Sequence, residues 1–389
     1  MNGDLDIRRP VAVAGHATTA RPMLRRWLFT GVVGVGFLLT ALVVAVYLGA
    51  TFGVQTALLA LTVALVPLGI VIPTFLWLDR FESEPTRYLA AAFLWGGLVA
   101  AVIAALFNTS AIAVLEAAAP GDPEAAMVTT AVLVAPVVEE AAKGAFVFLA
   151  WWVLRREFDG VTDGMVYAGI CAAGFAFTEN IHYLAQAWSE GGGAALTGTF
   201  VARCLMSPFA HPMFTVLIGI GVGVAATSRS WFPRIVAPVV GYVLAVLAHA
   251  LWNLGAVTGG AGLWVIYLLV EVPIFLAFLA FVGWARRREG RLIGRHLHPY
   301  ADAGWLSPAE VAMLASMAHR REARAWARAN TGRRGLQAMR AFQDVASELA
   351  LLRHRMSHSA ADDHALAQER ELLLALSARR AEFVGMPLT

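Results

Sequence analysis

The sequence predicts an all-α protein: a polytopic membrane helical bundle of about eight transmembrane helices, with both termini cytoplasmic and a small helical C-terminal domain on that side. Three observations carry this expectation. Hydrophobic residues make up 59% of the 389-residue chain and charged residues only 15%, against about a quarter charged in ordinary soluble domains. Apolar runs long enough to cross a hydrocarbon core of about 30 Å recur along it. Arginines gather at alternate ends of those runs, which is the pattern that sets membrane topology.

Taken in order, a basic cytoplasmic arm over residues 1–26 carries Arg8, Arg9, Arg21, Arg25 and Arg26. Eight spans follow at about 27–51, 56–78, 88–108, 127–154, 163–187, 200–226, 235–256 and 261–285. The first is too long for the apolar region of a signal peptide and has no clear cleavage site. Arg80 and Arg87 follow the second span, Arg155 and Arg156 the fourth, Arg229 and Arg234 the sixth, and Arg286 to Arg288 the eighth. The opposite connections hold Glu116, Asp122, Glu124 and Glu190. The basic residues flank apolar spans, so no nucleic-acid partner is expected. Cys171 and Cys204 lie in apolar stretches and form neither a disulfide framework nor a CxxC metal site.

Residues 286–389 differ in kind, with 17 Arg, 11 acidic residues and six of the ten His. Apolar residues at helical spacing predict helices near 308–329, 335–357 and 361–382, the first opened by Ser307 as N-cap, Pro308 and Glu310. This cytoplasmic helical tail is expected to have solvated histidines and a basic surface in reach of anionic lipid.

The polar residues inside the spans are few. Span 4 contributes Glu139, Glu140 and Lys143, the single lysine of the chain; span 5 contributes Glu179, Asn180 and His182; span 6, Arg203 and His211; span 7, His249 and Asn253. An ionised group at the bilayer centre costs at least about 2.5–3.5 kcal/mol, so each such group calls for a reason. With a rise of about 1.5 Å per residue, Glu140 and His249 lie about 21 Å from the cytoplasmic ends of their spans and Glu179 about 24 Å, while Glu139 and His211 lie about 16 Å from the outer ends. Four helices therefore bring carboxylates and imidazoles to one level near the midplane.

Helical spacing places Lys143 on one face with Glu139 (i, i+4) and Glu140 (i, i+3), so it can neutralise one carboxylate and leave the other for chemistry. His249 and Asn253 are also i, i+4. The row Gly164, Ala168, Ala172 and Ala176 suits close approach of a neighbouring helix. The set fits hydrolysis: a carboxylate takes a proton from water while imidazoles bind a metal ion or stabilise the oxyanion. His211, His249 and a Glu would make a three-ligand site with one open position; the HExxH pattern of soluble zinc proteases is absent. The competing readings are a structural ion-pair knot at Glu139, Glu140 and Lys143, helix-to-helix hydrogen bonding by the histidines, a structural His182, and an Arg203 that pairs locally or snorkels.

At these residues the chain resembles the PrsW family of intramembrane proteases, itself similar in its paired Glu and membrane His to the CAAX-prenyl endopeptidases. The resemblance runs over about residues 27–285 through EExxK (Glu139 to Lys143), FxxxE (Phe175 and Glu179), His211 in "HPMFT", HxxWN (His249 to Asn253) and "LDRFESEP" before span 3. It implies a membrane-embedded peptidase core over 27–285 that cuts membrane-protein substrates in the lipid bilayer of the cell membrane, such as a single-pass anti-sigma factor. It also implies a divalent metal, zinc by preference. In that scheme Glu139 or Glu140 is the general base and Lys143 holds the other carboxylate. Glu179, His211 and His249 bind the metal or polarise the scissile carbonyl, and Asn253 orients His249 or the oxyanion. A non-catalytic membrane scaffold and a proton-coupled transporter are the alternatives that the same buried network would serve.

Overall fold

The computed structural model describes residues 20–79, 81, 84–154, 158, 160–358 and 363–384, with side chains from residue 31 onward except that of His358. Residues 1–19 of the basic arm, Arg80, Arg155 and Arg156 lie outside the described residues, as do the side chains of Arg21, Arg25 and Arg26.

Every regular element among the described residues is helical. The chain opens with α1 (Ala20–Phe52) and α2 (Val54–Leu78). Next, α3 (Thr86–Leu94), a π turn (Trp95–Ala100) and α4 (Ala101–Ala118) form one rod. A second rod joins α5 (Pro123–Thr129), a π turn (Thr130–Val134) and α6 (Ala135–Val153). Then come α7 (Val161–Phe200), a π turn (Val201–Met206), α8 (Ala210–Thr227) and α9 (Trp231–Thr258). A last rod runs through α10 (Gly260–Ile266), a π turn (Tyr267–Glu271) and α11 (Val272–Asp302). Beyond it lie α12 (Pro308–Leu314), α13 (Met317–His358) and α14 (Asp363–Val384).

Among the described residues six helical stretches are long and apolar enough to cross a membrane, and the protein is a multi-pass membrane protein. The 19-residue α6 is not among them, because it holds Glu139, Glu140 and Lys143. The 67-residue stretch Val161–Thr227 counts once although the chain turns back within it. Gly192, at φ 59° and ψ −148°, breaks the helix. Asn180 meets Arg203 and Gly164 meets Gly219 across that point, so the arms are antiparallel. Only glycine takes that backbone region without strain. The same device recurs in α13: Gly332 (φ 65°) separates two arms that meet through Arg324 with Gln343 and Arg320 with Ser347.

A π turn frees a backbone carbonyl, and in an apolar surrounding that carbonyl needs another donor. Thr178 Oγ1 donates to the carbonyl of Gly97, Asn253 Nδ2 to that of Ala131 and Tyr267 OH to that of Met206. The turns therefore lock neighbouring helices together.

The main core packs α2, α6, α7, α8 and α9 around Phe75, Met165, Tyr167, Phe214 and Ile218. Along α7 the small-residue row lets α8 approach: a Cβ on Gly164 would sit 2.1 Å from the Gly219 carbonyl, and the converse contact is equally short. A second core joins α11 to α14 around Ile293, Leu314, Phe342, Leu349 and Leu376, and Phe81 from the α2–α3 connection inserts into it. The Ser307 cap forms as the sequence predicts, with Ser307 and Glu310 bonded reciprocally. Since α11 is continuous from Val272 to Asp302, the compositional boundary at residue 285 falls inside a helix.

Candidate active site

The groups expected at one level meet. Glu140 is fully excluded from solvent and its two oxygens are saturated. Lys143 Nζ donates to Oε1 at 2.5 Å, His249 Nδ1 lies 3.0 Å from the same oxygen, and Thr215 Oγ1 donates to Oε2 at 2.8 Å. Glu139, one residue earlier and on an adjoining face, is held more loosely. Asn108 Nδ2 donates to its Oε1 at 3.2 Å, and Lys143 lies 3.9 Å from its Oε2, which has no hydrogen-bond partner among the described residues. Lys143 thus neutralises one carboxylate and leaves the other with a lone pair to use. The ammonium also lies 4.2 Å over the Phe175 ring, a contact that favours a cation away from water.

Hydrogen bonding sets the two imidazoles. A carboxylate accepts, so His249 carries its proton on Nδ1 toward Glu140 and presents the Nε2 lone pair. That lone pair faces Glu139 Oε2 across 3.8 Å. Two acceptors confronted at this distance call for a proton or a cation between them. Lys143 Nζ lies 3.3 Å from His211 Nδ1. An ammonium only donates, so His211 accepts there and donates from Nε2 to Glu179 Oε2 at 2.8 Å. The two rings sit edge to face with centroids 5.1 Å apart.

Donor atoms of Glu139, His211 and His249 all lie within 4.8 Å of one another, and all three residues are buried. Two nitrogens and one carboxylate oxygen in this spacing suit a divalent cation; His249 Nε2 and Glu139 Oε2 are uncommitted, whereas His211 Nδ1 accepts from Lys143. This group is able to hold a metal ion. It differs from the expected set, which had Glu179 in place of Glu139. Glu179 is drawn off by Arg203, whose Nη2 approaches Oε2 at 2.6 Å while Nε bonds Asn180 at 3.0 Å. Asn253 also departs from expectation. Its amide is taken by the Ala131 carbonyl at 2.7 Å, freed by the π turn there, and not by His249. His182 packs among the rings of Tyr47, Phe52 and Tyr183, the structural role open to it.

Two site contributors escape sequence reasoning. Asn108 lies at the limit of the expected third span, but the helix continues to Ala118 and brings it inside. Thr215 stands one turn after His211, and that i, i+4 spacing was the available signal. A buried Glu271, in the π turn of the last rod, is a further intramembrane carboxylate. Beside His211 a cavity of about 10 Å³, lined in part by Asn180, Arg203, Ser207 and Trp252, is near the size that admits one water.

Comparison with known proteins identifies the family. The family model described as PrsW family intramembrane metalloprotease matches residues 84–278, which contain every site residue named above and exclude the helices after α11. Protease PrsW of Geobacillus kaustophilus (strain HTA426) is 30% identical over 164 residues, 40% of this chain and 63% of that protein. Protease PrsW of Clostridioides difficile (strain 630) is 29% identical over 141 residues, 36% of this chain and 55% of that protein. The match thus spans less than two thirds of either relative. No solved structure gives a significant match. With a family model covering residues 84–278 and the motif residues gathered in one buried site, the chain belongs to the PrsW family of intramembrane metalloproteases.

Proposed function

We propose that the protein hydrolyses peptide bonds of membrane-protein substrates within the bilayer, using the buried site between α4, α6, α7, α8 and α9. One observation carries this reading: a carboxylate with an uncommitted oxygen and two imidazoles face one another in a buried space, each oriented by a separate partner. An ion-pair knot would leave no such group over. His211 and His249 would hold a divalent ion beside the open oxygen of Glu139, zinc by the nature of the donors, with the Lys143 contact to His211 Nδ1 given up. When bound, such an ion supplies a Lewis acid that polarises the scissile carbonyl and acidifies the attacking water.

The chain's own residues supply the rest. Glu139, steadied through Oε1 by Asn108, receives the proton of the attacking water at Oε2. Lys143 and Thr215 keep Glu140 ionised and fixed, so that it holds His249 in the tautomer with a free Nε2. Arg203 neutralises Glu179, which in turn aims His211. Asn253 ties α9, and with it His249, to the Ala131 carbonyl.

Eight crossings with both termini cytoplasmic fit the helices when α6 is counted and the Gly192 turn divides α7. The substrate class is a single-pass membrane protein, an anti-sigma factor being one example. Tagged single-pass proteins co-reconstituted with the purified enzyme in proteoliposomes test the reading. Wild type yields cut products, chelation abolishes them and added zinc restores them, whereas Glu139→Gln gives none. Equal cutting by Glu139→Gln removes the proposed mechanism.

A further inference from the structure

Apart from the buried site, the molecule holds a cavity of about 710 Å³ lined by Phe81, Arg286, Arg287, Gly290, Arg291 and the turn before α13 at Ser316. Its place relative to the bilayer follows from two tryptophans. Trp77 ends α2 and Trp284 ends the apolar part of α11; they are 45% and 44% exposed, as interfacial rings are. Arg286 bridges the levels, donating to the Trp77 carbonyl at 2.7 Å with its guanidinium 3.7 Å over the Trp77 ring. Arg287 and Arg291 follow Trp284 by three and seven residues, about 4.5 and 10 Å along the helix. The headgroup layer is about 5–8 Å thick on each side, so the cavity opens within it and just below.

The lining suits an anion with an apolar attachment. Arg286 is buried and already oriented. Arg287 and Arg291 are exposed, and neither has an ion-pair partner among the described residues. Ser316 precedes the first turn of α13, whose backbone N–H groups favour negative charge. Phe81 and Met317 add apolar wall. Glu289, the acidic residue in this stretch of α11, reaches Thr162 on α7 and does not line the cavity. Close approach shapes the floor: a Cβ on Gly290 would meet the Ala315 carbonyl at 2.5 Å.

We propose that this cavity binds the phosphate headgroup of an anionic phospholipid. Arginines immediately beyond a membrane span attract such lipids, and a ligand entering at the tryptophan level keeps its acyl chains beside the exposed apolar faces of α2 and α11. Phe81 forms the wall on one side and enters the core of α11 to α14 on the other, so an occupied cavity braces those helices against the membrane core.

Native mass spectrometry of the full chain in detergent, with phosphatidylglycerol or phosphatidylcholine added, tests this. Wild type should retain phosphatidylglycerol at least about tenfold better than phosphatidylcholine. Arg287→Ala/Arg291→Ala should lose roughly fivefold for each arginine removed. The control Arg321→Ala/Arg328→Ala, at exposed arginines outside the cavity, should keep the preference. Equal retention of both lipids by wild type overturns the proposal whatever the yield of the variants, and so does an unchanged preference in Arg287→Ala/Arg291→Ala. Full displacement of the lipid by inorganic phosphate would assign the cavity to a soluble phosphate and overturn the lipid reading.

Discussion

Lys143 Nζ lies 2.5 Å from Glu140 Oε1 on the same face of α6, and neither side chain is reached by solvent. The pair is both the main electrostatic liability of the bundle and the means by which the site is held. Removing one partner of a buried pair leaves an uncompensated charge, at a cost of about 3–5 kcal/mol. Lys143→Met should therefore lower the melting temperature in detergent sharply. Glu140→Gln/Lys143→Met should recover most of the stability while remaining inactive, because His249 loses its carboxylate partner.

Arg203 acts on the site through Glu179. Arg203→Ala leaves Glu179 free to turn and His211 unsteadied, with an expected loss of about 10–100-fold in activity. Arg203→Lys restores the charge without the fork that also reaches Asn180. It should therefore recover only part of the activity, through kcat more than KM. Full activity of Arg203→Ala would show that this pair is packing alone.

The α7–α8 approach is the mechanical basis of His211 placement. Gly164→Leu drives a side chain into the Gly219 carbonyl, which a Cβ alone would approach to 2.1 Å. Overpacking of this kind costs about 1–3 kcal/mol or more. Here it should also shift α8, so activity is expected to fall further than the thermal melt does.

Asp79, at the end of α2 and outside the membrane-spanning stretch, gives a pH signature. Burial first, then the neighbouring Glu84 and Glu289 carboxylates, push it up from 3.8 to about 8, against the Glu84 amide that favours the ionised form. The folded state thus keeps a proton that the unfolded chain releases. Stability from this group is complete below about 4 and lost progressively as pH rises through about 8. Asp79→Asn should match wild type near the low end. Above the high end it should exceed wild type by on the order of a few kcal/mol in a pH series of thermal melts. A parallel loss of stability in both proteins would contradict the assignment.

Much of this was legible in the sequence because apolar length and charge depth are properties of the chain alone. The levels of Glu139, Glu140, Glu179, His211 and His249 follow from rise per residue, and the Lys143 pairing from helical spacing. Which carboxylate stays uncommitted does not follow. That depends on Asn108 and Thr215, brought in by other helices, and on Arg203, which claims Glu179 across the Gly192 turn. The π turns were equally hidden, since hydrophobic periodicity does not record one freed carbonyl. It is such a carbonyl, at Ala131, that takes Asn253 from its expected place beside His249.

Glu139, the carboxylate with an open oxygen, is proposed above to serve peptide hydrolysis in the membrane. The most direct measurement is quantitative terminal proteomics of host membranes lacking the protein and complemented with wild type or Glu139→Gln at equal abundance. New protein termini near membrane spans are expected with wild type and none with the variant. Identical sets of termini from the two would contradict this role and leave the buried network as a structural or transport device.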